Sequence, residues 1–358
     1  MYLGIEIGGT KLQFGVAAGD GLDWAAFERC DVDPRRGATG ILEQIERVGT
    51  ELLQRFAISR IGVGFGGPVD STTGRVTKSH QIDGWEGVPL GDWCAARLGR
   101  PARIGNDCDV AALAEASYGA GRGKSTVFYV TVGTGVGGGL VTGGRMFGAG
   151  RPAVAEIGHL RPGLAADQPS LTVESIASGR GIEAAARAAL GGTRAASWEA
   201  AWRGIAARQL GQDVGMPQGI ASEPRYALCQ PSLCQSSAEA QEFTSDLLRR
   251  AGGERERITA RLVAEAAAAG NHLAVEILHG ACRTLGWAIA QVITLLAPDV
   301  VVVGGGIALI GEELFFRPLR REVQRYAFPP LAKSYEIVPA ALGESVVVHG
   351  AVALAAAD

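Results

Sequence analysis

Two runs of strand-forming residues, each turned back on itself through glycines, constrain this chain more than any other feature. Tyr2-Leu3-Gly4-Ile5-Glu6-Ile7 reads as a strand, Gly8-Gly9 as a turn, and Leu12 to Val16 as the returning strand. Val127 to Val132, a glycine-rich turn and Gly138 to Thr142 repeat the pattern further along the chain. After the first hairpin, apolar spacing predicts a helix over Ile41 to Phe56 and then a buried strand, Ile61 to Phe65, stopped by Gly66-Gly67-Pro68. Strand, turn, strand, helix, strand predicts an α/β lobe with a mixed sheet, and its repetition predicts two lobes. A length of 358 residues agrees, because it exceeds what one small core needs.

A strand from Ala102 to Gly105 leads into Asn106-Asp107 and a helical run through Ala111, Leu113 and Ala114. Ile258 to Leu296 has strong helical periodicity, Val300 to Val303 is a fully buried strand ended by Gly304-Gly305-Gly306, and Gly350 to Ala357 reads as a short closing helix. Between Arg194 and Arg257 the pattern weakens and no firm structure follows from it. That stretch, which includes Trp198, Trp202, Cys229 and Cys234, is expected to be an insertion.

The 52 glycines cluster in short runs, as tight turns and backbone sites for a ligand do. A net charge of −3 supplies no basic field, which argues against a nucleic-acid partner. No window is apolar for long enough to span a bilayer, and no signal peptide is visible at the amino terminus. The six scattered cysteines suit a reducing compartment, so a cytoplasmic protein is expected.

Four short segments carry chemistry. In Glu6 to Lys11 a carboxylate, two glycines, Thr10 and a lysine surround one turn, where backbone N–H groups can approach phosphate and the acid can hold hydrated magnesium. Gly-Gly hairpins are also common as plain structure. Thr131 to Gly139 is a second such turn, and two of them could grip a polyphosphate from both sides. Asn106-Asp107 sits where a strand meets a helix. It reads first as an N-cap and second as a general base for a sugar hydroxyl with a neighbouring amide; the two uses coexist. Glu156-Ile157-Gly158-His159 places an acceptor and a donor-acceptor around a glycine, a pair suited to adjacent sugar hydroxyls.

Taken in order, these segments resemble the ROK family (repressors, open reading frames and sugar kinases) of the actin–hexokinase superfamily. Gly4 to Lys11 is similar to its first phosphate motif, Gly64-Phe65-Gly66-Gly67-Pro68 to its Gly-x-Pro-Gly-Pro element, and Asp83-Gly84-Trp85 to the end of its sugar loop. Asn106-Asp107 with Ala111 to Glu115 resembles its catalytic segment, Thr131 to Gly139 its second phosphate loop, and Glu156 to His159 its Glu-x-Gly-His signature. Pro298 to Gly306 is similar to the strand and triple glycine beside the family's adenosine site, and Leu342-Gly343 with Gly350-Ala351 to its closing helix.

The resemblance implies an actin-like, ribonuclease H-like two-lobed fold with mixed sheets and a cleft between lobes. It places 1–108 plus 349–358 in a small lobe and 109–348 in a large one, with the insertion at about 194–257. It implies an ATP- and magnesium-dependent kinase for a hexose 6-hydroxyl, glucose first, and a homodimer. Asp107 would be the base, with Gly67, Asn106, Asp107, Glu156, His159 and Glu174 binding sugar. Gly8, Gly9, Thr10, Lys11, Gly133, Thr134, Gly135, Gly304 and Gly305 would bind ATP, with Glu6 reaching magnesium through water. An N-acylhexosamine or fructose kinase is the alternative, and a catalytically silent sugar-binding regulator the alternative of another class.

Two departures stand out. The family typically has Asp where this chain has Glu6, which moves the carboxylate by roughly 1.5 Å, about one carbon–carbon bond. The family also follows Glu-x-Gly-His with a Cys-x-Cys-Gly-x-x-Gly-Cys-x-Glu zinc run, whereas Leu164 to Glu174 contains no cysteine. No structural zinc is therefore expected, and Cys229 and Cys234, with no second pair nearby, read as incidental thiols. Glu174 still matches the run's final Glu, since Ser178-Gly179 follows it.

Overall fold

The computed structural model describes residues 1–19, 23–79, 82–148, 150–163, 170–190 and 237–357. Trp198, Trp202, Cys229 and Cys234 lie outside them. The first sheet takes the order β3-β2-β1-β4-β7, from β1 (Tyr2–Ile7), β2 (Lys11–Ala17), β3 (Ala26–Asp31), β4 (Arg60–Phe65) and β7 (Ala102–Asn106). The second takes the order β10-β9-β8-β11-β12, from β8 (Thr126–Val132), β9 (Val136–Thr142), β10 (Arg145–Met146), β11 (Val300–Gly304) and β12 (Glu336–Pro339). In each, three antiparallel strands are followed by two parallel ones, so the repeated theme in the sequence is a repeated topology. A two-stranded ribbon, β5 (Val69–Asp70) with β6 (Arg75–Val76), stands beside the first sheet.

The parallel strands bring their carboxyl ends to common edges. Ile7 pairs with Phe65, and Phe65 with Asn106. In the second sheet Thr131 pairs with Gly304, and Val303 with Pro339. Open α/β sheets bind ligands outside such ends, where the loops are free of the ladder.

Helix α1 (Gly37–Arg55) buries Ile41, Ile45, Val48 and Leu52, one face at helical spacing, and with α2 (Leu90–Leu98) covers the first sheet. The second sheet lies against α8 (His272–Leu296), its neighbours α7 (Ala260–Ala268) and α9 (Arg317–Tyr326), and α4 (Val173–Ala177) and α5 (Gly179–Leu190). The predicted Ile258–Leu296 helix is two helices. Gly270 takes a φ of 89° and Asn271 caps α8 by accepting from the Ala274 N–H at 3.1 Å. Part of the unassigned stretch is also regular, as α6 (Ser237–Arg250).

Between the sheets lie α3 (Asp107–Ser117) and α10 (Val346–Ala356), whose apolar sides form a third cluster with Val127, Tyr129, Val300 and Val302. The closing helix begins earlier than Gly350 because Val346 and Val348 are also buried. It sits very close to its neighbours. A Cβ on Gly62 would lie 1.8 Å from the Ala351 carbonyl oxygen, and one on Gly350 would lie 1.8 Å from that of Val110. Only glycine permits backbone approach of this kind.

Candidate active site

The site begins at the corner between β7 and α3. Asn106 is extended (φ −62°, ψ 146°), and its Oδ1 accepts from the N–H groups of Cys108 at 2.8 Å and Asp109 at 3.4 Å. Its Nδ2 donates to the Gly67 carbonyl at 2.9 Å. One amide therefore caps α3 and fastens the loop that follows β4. Asp107 opens the helix, its Oδ1 accepting from the Cys108 N–H at 2.8 Å. Burial pushes its pKa up, the Cys108 thiol and then its N–H oppose this, and the Glu156 carboxylate adds to the rise. Asp109, two residues further along the helix, is raised to about 7 by burial, then by Glu156 and Asp107.

The two glycine turns have matching backbone chemistry. Gly8 N–H closes the first hairpin on the Lys11 carbonyl at 3.0 Å, and Gly133 N–H closes the second on Gly135 at 2.9 Å. Among the described residues the N–H groups of Gly9, Thr10, Thr134 and Gly135 donate to no acceptor. Each turn thus offers two adjacent donors, the local geometry that binds anions. Glu6 lies just before the first turn, 3.3 Å from Lys11 Nζ, and Lys11 also donates to Gln13 Oε1 at 3.0 Å. Burial raises the Glu6 pKa and Lys11 works against it; among the described residues Glu6 Oε2 is buried without a partner.

A cavity of about 370 Å³ joins these parts. Glu6, Lys11, Asp107 and Thr131 stand at its polar end, and Gly304, Gly305 and Gly306 form one wall. Val303, Leu309, Ala340 and Val346 make an apolar extension, with Glu344 at its rim. Leu309, 80% exposed, is an apolar side chain open to a ligand. Glu115, fully buried, shapes this end: its Oε1 accepts from the N–H groups of Ala341 at 2.9 Å and Leu342 at 3.0 Å, and its Oε2 from Ala120 at 2.8 Å.

The remaining predicted residues lie around this cavity rather than in its wall. Glu156 is close enough to act electrostatically on Asp107, Cys108 and Asp109. His159 is exposed on the short turn Ile157–His159, its N–H on the Glu156 carbonyl at 3.0 Å. Glu174, in the first turn of α4, faces the second hairpin, accepting from the Val136 N–H at 2.9 Å. Cys108, Asp109, Tyr129, Leu309 and Glu344 had not been singled out. The first two adjoin a recognised motif, but nothing local marks Leu309 or Glu344, which reach the cavity through the order of the strands. Burial and the Asp107 charge push the Cys108 thiol pKa well up, which disfavours its thiolate form.

The sequence profile of the ROK family matches residues 2–215 and 230–358. The chain belongs to the ROK family. A glucokinase of Thermotoga maritima is 27% identical over 353 residues, which cover 98% of this chain and 96% of that one. The crystal structure of a ROK glucokinase from Streptomyces griseus, in complex with glucose and AMPPNP, superposes with a TM-score of 0.71 at 26% identity, covering 99% of both chains. A putative xylose repressor of a Caldicellulosiruptor species is 24% identical over 83% of this chain and 62% of its own length. The fold is accordingly the actin-like, hexokinase type, with two mixed sheets facing a cleft. None of the helices among the described residues is long and apolar enough to cross a membrane.

Proposed function

We propose that this ROK protein is a sugar kinase that transfers the γ-phosphoryl group of ATP to the 6-hydroxyl of a hexose, with glucose as the first acceptor. The observation that carries this reading is the position of Asp107. A half-buried carboxylate of raised pKa stands in one cavity with Glu6, Lys11 and the glycine wall, beside two hairpins with unengaged N–H donors. Phosphoryl transfer needs mainly positioning and charge neutralisation, and these groups supply both.

In this reading Asp107 accepts the hydroxyl proton as the oxygen attacks phosphorus. Gly67, Asn106, Glu156, His159 and Glu174 bind the ring hydroxyls. Gly8, Gly9, Thr10, Lys11, Gly133, Thr134 and Gly135 hold the phosphates, and Gly304 and Gly305 flank the nucleoside, whose base would lie against Leu309 and Ala340. Glu6 fits a magnesium ion: its Oε2 is buried and, among the described residues, unpartnered, a vacant acceptor that a hydrated cation would satisfy. Magnesium when bound would neutralise phosphate charge. Residues 1–108 with 349–358 form the small lobe of this enzyme and 109–348 the large one, and it works in the cytoplasm as a homodimer.

ADP release from magnesium-ATP, measured against glucose, fructose and N-acylhexosamines, tests the reading and names the acceptor. A second reading, a silent sugar-binding regulator, is favoured by Glu6 in place of the usual Asp. Glucose binding by calorimetry without sugar-stimulated ADP release would select it.

A further inference from the structure

The hairpin turn Gly133 to Val136 is met at every residue by one segment, Glu174 to Arg180. The Gly179 N–H donates to the Gly133 carbonyl at 2.7 Å, and Arg180 Nε donates to the Thr134 carbonyl at 3.1 Å. Glu174 Oε2 takes the Val136 N–H at 2.9 Å and lies so close over Gly135 that a Cβ there would approach it to 2.5 Å. Glu174 Oε1 faces Arg180, with the guanidinium nitrogen 3.7 Å away. The segment itself is stiff. Thr172 and Ser175 form a capping box at the start of α4, and Ser178 Oγ accepts from the Gly181 N–H at 3.2 Å at the start of α5.

We propose that Arg180 is a positioning residue for the second phosphate hairpin, and that the Glu174–Arg180 pair couples the sugar side of the cleft to the nucleotide side. The inference rests on the kinase reading above and adds to it how the two substrates sense one another. Arg180 and Glu174 hold the backbone whose neighbouring N–H groups, Thr134 and Gly135, are left to grip phosphate. The two ends of the Glu174 carboxylate do different work. Oε2 is committed to the hairpin, while among the described residues Oε1 holds only a long contact with a guanidinium that is 67% exposed. An exposed pair of this length is held weakly and is readily exchanged. A sugar hydroxyl donating to Oε1 would take its place, releasing the guanidinium toward a polyphosphate on the hairpin while Nε keeps the Thr134 carbonyl. Arginine suits this double task because its planar fork can hold a carbonyl and a phosphate together.

The test is a binding cycle. Calorimetry measures AMPPNP with magnesium, alone and in saturating glucose, for the wild type, Arg180→Ala, Arg180→Lys and Glu174→Gln, with thermal melting to confirm that each variant is folded. Glucose is expected to tighten AMPPNP binding by about tenfold in the wild type, a common size for such coupling. Arg180→Ala and Glu174→Gln should each reduce this factor to below about twofold. Arg180→Lys keeps the charge and loses the fork, so it should retain more AMPPNP affinity than Arg180→Ala with the coupling still reduced. Folded Arg180→Ala with the full wild-type factor overturns the proposal, as does a wild type that binds both ligands without coupling. A wild type that binds neither glucose nor AMPPNP overturns the kinase reading instead.

Discussion

Asn106 Nδ2 lies 2.9 Å from the carbonyl oxygen of Gly67, so one side chain joins the loop after β4 to the helix that begins with Asp107. Asn106→Ala removes both this bond and the cap of α3. It should lower stability by about 1–2 kcal/mol, in the range of lost caps, and raise the sugar KM more than it lowers kcat. Asn106→Asp keeps the cap acceptor but loses the donor to Gly67, so its stability loss should be smaller while the KM effect remains. Urea unfolding and steady-state kinetics of the two variants separate these roles.

Glu115 supports the apolar end of the cavity through the loop that carries Ala341 and Leu342. Removing a carboxylate that serves three N–H groups leaves part-buried donors without their acceptor, so Glu115→Ala should destabilise the protein by about 1–3 kcal/mol. Glu115→Gln retains one acceptor oxygen and should lose less. A melting temperature for Glu115→Ala equal to that of the wild type would show that the loop 339–343 does not depend on this side chain.

Asp109 gives the fold a pH dependence of known sign. Its carboxyl sits at about 7 in the folded protein and near its ordinary 3.8 when unfolded. Between those values the unfolded chain has already released the proton and the folded one has not, so stability falls as pH rises from about 4 to about 7. The shift corresponds to at most ~4 kcal/mol. Asp109→Asn removes this ionisation, so its stability relative to the wild type should improve steadily over that window and level off above it. Denaturation at pH 5 and pH 8 checks the direction.

Much of this was legible in the residues. Alternating and branched residues flanked by glycines marked the strands from Tyr2 to Ile7 and Val300 to Val303, because a buried strand has a strong apolar signature. Asn106-Asp107 was legible as a cap from its place before an apolar run. The Glu174 contacts to Thr134–Val136 through Arg180 and its own carboxylate were not, since they join segments some 40 residues apart. Gly270 and Asn271 broke a helix that periodicity alone had continued, their local preferences overriding the apolar pattern on either side.

Asp107 and Glu6 both carry pKa values raised by burial, and both act as carboxylates in the proposed reaction. The acid limb of kcat/KM should therefore lie above the ordinary carboxylate range near pH 4, with activity falling as pH drops through it. A pH–rate profile that stays flat down to about pH 4 would exclude a half-buried carboxylate base.

The most direct measurement is ADP production from magnesium-ATP with glucose and the other sugars, comparing the wild type with Asp107→Asn. The amide matches the carboxylate in shape but cannot accept the proton, so turnover should fall by at least about 100-fold while glucose still binds. Sugar-stimulated turnover that persists in Asp107→Asn at the wild-type rate would contradict the assignment of Asp107 as the base.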